Sequence, residues 1–263
     1  MQGWSIMARA LVGAAALTMA AAVPAQDAPA IPRGDGYAEL ERLPDFTGVW
    51  TLGIGAGARA PAQPVLTPAA QERLDAFRAK QAAEGVSQEK QIKCIPPGMP
   101  GIMRQPYPLE FLFTPGRVTI FAETYSQARR IYTDGRPLPE DPDPFFNGYS
   151  VGRWEGDTLL VDTVGFSPLN DIAPGVRHGN MRIHERIWLE SPMALRIETT
   201  ITDPEVLAEP LVVQATYRKE PTWEMREYVC EENNRLTDDE DGANIELDLE
   251  YDPDDPFGPP PEE

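Results

Sequence analysis

The sequence predicts a mainly β protein: an antiparallel up-and-down barrel of about 8–10 strands with one helix after the first strand. Three observations carry this. From Leu109 onward the chain runs in short segments of alternating apolar and polar residues, punctuated by Gly, Pro, Asp or Asn. Several links, such as "TPGR" and "EGD", are short enough to join only neighbouring antiparallel strands. Closing such a meander removes the unpaired edges that would otherwise aggregate. A two-sheet sandwich is the alternative on the same pattern.

Strand one falls in "DFTGVWTLGIG", after a Pro- and Gly-rich lead. The helix follows at 68–84: Thr67 is its N-cap, Pro68 takes the first helical position and Gly85 stops it. Leu74 and Phe77 supply only a narrow apolar stripe, which suits a lid or plug better than a core element. Nine further strands are expected at 109–114, 117–125, 127–133, 149–155, 158–165, 181–190, 194–202, 211–219 and 223–231. Two longer links, "DGRPLPEDPDPFFN" and "SPLNDIAPGVRHGN", read as loops at the barrel mouth. Glu155-Gly156-Asp157 reads as a hairpin tip.

The ends have compositions foreign to a core. Arg9 precedes a run of about 16 mostly Ala residues, short of the roughly 20 needed to span a bilayer. With Val23-Pro24-Ala25 closing that run, 1–25 reads as a secretory signal peptide rather than a membrane anchor. Residues 26–44 are expected to form a flexible lead, 45–235 the barrel domain, and 236–263, with twelve Asp or Glu and no Lys or Arg, a mostly disordered acidic tail. "DDEDGANIELDLE" resembles a calcium loop at Asp239, Asp241 and Gly242 but fails at Thr237 and Asp248. Alternation at Ile245, Leu247 and Leu249 leaves room for a short strand there.

The 263-residue chain carries a net charge of −19 and shows no Lys/Arg cluster, which excludes nucleic-acid binding and disfavours anionic membrane surfaces. No integral membrane segment is expected after signal cleavage. Export to the periplasm or beyond makes Cys94 and Cys230 a candidate disulfide; two unpaired buried thiols are the other possibility. No metal site and no cofactor are expected, because no His lies near either Cys and no nucleotide, Walker, G-x-S-x-G or H-E-x-x-H motif occurs.

Charges on apolar faces mark the candidate site. In "MRIHERIWLE", Glu185 shares a face with Met181, Ile183, Ile187 and Leu189, while His184 lies on the other face. Asp162 alternates with Leu160 and Val164 and is expected to look inward, although Leu159 and Val161 make both faces apolar. Trp223 and Glu227 share one face of the last expected strand, with Cys230 opposite. In "QARRIYTDG", Arg130 and Tyr132 share one face and Arg129 and Ile131 the other; either suits the interior. A buried carboxylate requires a cation, hydrogen bonds or a raised pKa, so inward acids imply a structural ion pair, a ligand anchor or an acid–base site. The Pro-rich "CIPPGMPGIMRQPYPLEFLF" cannot be a regular element and is suited to cover one barrel end, bringing Arg104 and Tyr107 over the cavity. His178, in a mouth loop, is either solvated or a proton carrier.

With "GVW" opening the barrel region, then a helix, then a meander, the chain resembles the calycin group of lipocalins and fatty-acid-binding-protein-like barrels. The strings "DFTGVW", "CIPPGMPGIMRQPYPLEFLFTPGRVTI", "RRIYTDGRP", "GRWEGDTLLVDTVGF", "HERI" and "YVCEENN" are also similar to a large uncharacterised family of secreted bacterial proteins. These resemblances imply a lipocalin-like barrel over about Asp45–Asn234 and no reaction. The expectation is a barrel that binds a hydrophobic small molecule, with Arg104, Tyr107, Arg130, Tyr132, Glu227 and Trp223 as ligand-binding candidates. The alternative is a cofactor-free isomerase, dehydratase or lyase in the same cavity, using Glu185, Asp162 or His178 for proton transfer. An envelope interaction module that uses the acidic tail is a third possibility.

Overall fold

The computed structural model describes residues 36–53, 62–85, 90, 93–230, 236–239 and 242–245. The expected signal peptide, most of the lead and the end of the acidic tail lie outside the described residues.

A short helix α1 (Tyr37–Leu40) precedes β1 (Gly48–Leu52), and α2 (Pro68–Glu84) follows. The remaining barrel strands are β2 (Leu109–Thr114), β3 (Arg117–Ala122), β4 (Gln127–Tyr132), β5 (Tyr149–Glu155), β6 (Thr158–Val164), β9 (Arg182–Ser191), β10 (Ala194–Thr202) and β11 (Leu211–Lys219). They close in the order β1-β11-β10-β9-β6-β5-β4-β3-β2, a nine-strand barrel. Between β6 and β9 the mouth loop folds into a small hairpin, β7 (Asp171–Ala173) with β8 (Val176–Arg177). Within the stretch read as an acidic tail, β12 (Leu236–Asp239) pairs with β13 (Gly242–Ile245) as a separate two-stranded ladder.

Two expectations are corrected. The β4–β5 step is parallel, with Ile131 opposite Ser150 and Tyr132 opposite Val151. A parallel neighbour requires a crossover, so 133–148 runs from one barrel end to the other instead of forming a loop at the mouth. The strand expected at 223–231 does not form over the described residues 223–230: β11 already has β1 as its second neighbour, with Trp50 opposite Lys219 and Leu52 opposite Tyr217, so no edge remains to pair with. The chain after β11 is instead an irregular strap. It reaches the β3–β4 connection, where the Arg226 N–H donates to a Glu123 carboxylate oxygen at 2.8 Å and the Tyr228 ring lies 5.4 Å from that of Tyr125.

The hairpin tip at Glu155-Gly156-Asp157 is as expected, with Glu155 opposite Thr158 and Gly156 at φ 57°. The α2 cap is also as read: Thr67 Oγ1 accepts from the Ala70 N–H at 3.3 Å. Only Ala70 and Leu74 of this helix are buried. A bond from the Thr67 N–H to the Val206 carbonyl at 2.9 Å ties its start to the loop between β10 and β11, at the barrel mouth.

Both ends of the barrel are closed. At the hairpin end Phe46 is fully buried, with its ring 6.2 Å from Phe111, 6.0 Å from Phe113 and 5.3 Å from Trp154. The Trp50 indole N–H donates to the Phe46 carbonyl at 2.8 Å, which fixes that cap on β1. At the mouth the Pro-rich segment supplies Met99, Ile102 and Met103, all buried, with Gly101–Arg104 as one 3-10 turn. The plug is fastened by polar contacts. The Met99 N–H donates to Phe146 O at 2.8 Å, and the buried Asn170 amide donates to the carbonyls of Met99 and Phe146 at 2.8 and 2.7 Å. Gly98 makes this approach possible: its φ is +59°, and a Cβ there would lie 2.4 Å from Phe146 O. Cys94 and Cys230 stand at disulfide distance, Cα atoms 5.8 Å apart, joining the plug segment to the strap.

Candidate functional site

Strand alternation sends Arg129 of β4, Ser150 of β5, Thr163 of β6 and Glu185 of β9 into the barrel on adjacent strands. The register puts Ser150 level with Thr163, and Thr163 level with Ile183, two residues before Glu185. They form one network. Arg129 donates to both oxygens of Glu185, at 3.1 Å for Oε1 and closer for Oε2, and to Thr163 Oγ1 at 3.1 Å and Ser150 Oγ at 3.4 Å. Ser150 and Thr163 share a further hydroxyl bond of 2.8 Å. The fork-shaped guanidinium meeting both carboxylate oxygens is the geometry that best offsets the cost of burying two charges.

Glu185 therefore faces inward, as its strand pattern predicts, and its partner is Arg129. Arg130, on the other face of the same strand, is exposed outside the barrel one residue along. Asp162 also departs from expectation: Leu159, Val161 and Thr163 take the inward positions of β6, and the outward Asp162 carboxylate accepts from His184 Nδ1–H at 2.8 Å, with Arg153 at 3.6 Å. His178 is half-buried in the mouth loop, where Nε2–H donates to Ser167 O at 2.7 Å. Its Nδ1 is buried and has no partner. The three candidate proton carriers thus occupy three separate places.

Of the ligand-binding candidates, Arg104 alone reaches the interior cavity. That cavity, about 60 Å³, lies between the plug residues Met99 and Met103 and the inward side chains of β10 and β11, including Ile197, Ile201, Val213 and Tyr217. The fully buried Tyr217 hydroxyl donates to the Met103 carbonyl and latches the plug to β11. Burial, followed by the nearby Glu185 charge, pushes the Tyr217 phenol well above its ordinary pKa and keeps it a donor. Tyr107 turns outward, its ring 5.7 Å from Tyr228. Trp223 and Glu227 are exposed on the strap, because that segment is not a barrel strand. Arg130 and Tyr132 come together in a different place, an outer groove beside the crossover.

The sequence reading missed Arg129, Tyr217 and Asn170. Ile131 in the same alternation as Arg129 was the available signal, since placing Ile131 inside also places Arg129 inside. Among the described residues no group of His, Cys, Asp and Glu is placed to hold a metal ion. No helix among them is long and apolar enough to cross a membrane.

Fold and site together define a closed, mostly antiparallel nine-strand barrel, plugged at its mouth and compatible with a calycin-like fold. Compared with known proteins, the chain matches no family model and no curated protein.

Proposed function

We propose that this protein is an exported lipocalin-like barrel that takes a hydrophobic small molecule into its interior through the plugged mouth. The observation that carries this reading is the apolar cleft between the plug methionines and β10–β11, with the exposed Arg104 guanidinium at its rim. At about 60 Å³ the cleft is far below the ~300–1,000 Å³ of small-molecule sites, so the ligand must part the plug from β11. Met99 and Met103 suit that movement, since unbranched thioether chains repack at little cost. Breaking the Tyr217–Met103 latch frees a phenol to meet the ligand, and Arg104 suits an acidic head group. The Cys94–Cys230 pair supports an oxidising compartment. Isomerase, dehydratase or lyase chemistry in the same space is less favoured, because both Glu185 oxygens are already bound by Arg129.

The test is fluorescence titration with 1-anilinonaphthalene-8-sulfonate, alongside native mass spectrometry of protein purified from a bacterial periplasm. Ala215→Trp, which fills the cleft, should abolish dye uptake, and Tyr217→Phe, which opens the latch, should strengthen it. Dye binding unchanged by both variants, with no co-purifying mass, would refute the interior site.

A further inference from the structure

The outer groove beside the crossover has the size and chemistry of a second site, independent of the mouth. It has a volume of about 540 Å³ and is open to solvent along one side. Its floor is the outward face of β4, Ala128, Arg130 and Tyr132, and its wall is the crossover. We propose that this groove binds a short neutral oligosaccharide.

The floor is held in place before any ligand arrives. Tyr132 and Tyr149 lie ring against ring at 5.4 Å, and the Arg136 guanidinium sits 3.8 Å over Tyr132. Arg136 is itself held by Asp134 through bonds of 2.9, 3.1 and 2.6 Å and donates to the Tyr149 hydroxyl at 3.3 Å. The wall is fixed as well: the Phe145 N–H donates to Gly165 O at 3.0 Å, and the Ser167 N–H donates to Phe145 O at 2.8 Å. Rigid aromatic and polar groups bind without paying much ordering entropy.

The unsatisfied groups indicate the ligand. Arg130, Asp141 and Asp143 line the groove, and none has a hydrogen-bond or ion-pair partner among the described residues. Asn147, 8% exposed, also lines it, and its Oδ1 is buried with no hydrogen-bond partner. Free donors on Arg130 therefore stand among free acceptors on Asp141 and Asp143, with the buried Asn147 Oδ1 beneath the groove surface. Phe145 is 52% exposed and adds an apolar ring face. A sugar has the complementary make-up, with hydroxyls that both donate and accept around its rim and apolar C–H faces for aromatic rings. An anion is repelled by the two aspartates and by the net charge of −19, and a simple cation would leave the Arg130 donors and the aromatic faces unused, which the tetralysine control tests. A purely hydrophobic ligand would be left partly in water along the open side.

The experiment is saturation-transfer NMR on the full chain with maltotetraose, cellotetraose and chitotetraose, and with tetralysine as the peptide control. At least one saccharide should bind with Kd on the order of 1 mM or tighter. Phe145→Ala and Arg130→Ala, both at exposed positions, should each weaken binding about tenfold without changing the melting temperature. Ala215→Trp, which fills the mouth cleft, should leave saccharide binding unchanged; this separates the groove from the interior site. The proposal is overturned if no saccharide binds at about 10 mM, if Phe145→Ala and Arg130→Ala leave Kd unchanged, or if tetralysine binds and the saccharides do not.

Discussion

Removing one half of the interior ion pair should cost more than removing both halves. In Glu185→Ala the Arg129 guanidinium, 2% exposed, keeps only the hydroxyls of Ser150 and Thr163, and its Nε already lacks a partner. An uncompensated buried charge of this kind costs about 3–5 kcal/mol. With a urea m-value of about 2 kcal/mol/M, the unfolding midpoint should fall by about 1.5–2.5 M. Glu185→Gln keeps an acceptor for Arg129 and should lose less. The pair replacement Arg129→Met with Glu185→Leu removes both charges and leaves Ser150 and Thr163 bonded to each other at 2.8 Å. That variant should lie within about 1–2 kcal/mol of the wild type. The measurement is urea unfolding followed by tryptophan fluorescence and by far-UV circular dichroism, with coincident transitions required. A single-variant loss under about 1 kcal/mol, or a double variant as unstable as the singles combined, would refute the view of this network as a desolvated charge pair.

Two further outcomes follow from local geometry. Gly98→Ala should lower stability by at least about 2 kcal/mol by thermal melting, because its Cβ would meet Phe146 O at 2.4 Å, whereas Gly135→Ala, also at positive φ but with nothing within 4 Å, should cost clearly less; equal losses would remove the close approach as the cause. The Arg136 guanidinium, through its hydrogen bonds, holds the Asp134 carboxyl below its ordinary pKa, so the stabilisation from this pair is fully present above about pH 4 and is lost as pH falls through the lowered folded value. Melting temperatures between about pH 5 and pH 2 should drop further in the wild type than in Asp134→Asn, and parallel curves would show that the pair does not stabilise the fold.

Alternation makes most of the barrel legible in the sequence, because a strand with one buried face announces itself every second residue. Glu185 was found that way: four apolar neighbours in register leave no doubt about its side. Asp162 defeated the same rule, since Leu160 on its own face is 4% exposed and Leu159, Val161 and Thr163 opposite are buried too. In "ARRIY" two arginines stand on opposite faces, and only the barrel closure decides which is inside. The crossover was hidden because length alone does not separate a mouth loop from a segment that runs the height of the barrel. The strap misled for a different reason: Trp223, Met225, Glu227 and Val229 alternate well enough for a strand, but pairing depends on a free edge, and β1 had taken it. Of the outer groove only the shared face of Arg130 and Tyr132 was legible, because its wall is a crossover that meets β4 only through the parallel step.

The seam between β1 and β11 also sets the order in which the barrel can be completed. Strands β2 to β6 and β9 to β11 pair with partners close in sequence, so each can dock as its neighbour emerges during synthesis. β1 can pair with β2 early, but its other edge must wait for the strand that ends at Lys219, and Cys94 for a partner 136 residues later. Until then β1 and β11 are two open sheet edges, and the plug has no closed rim to sit in. A chain that stalls before β11 is therefore both uncapped and sticky-edged.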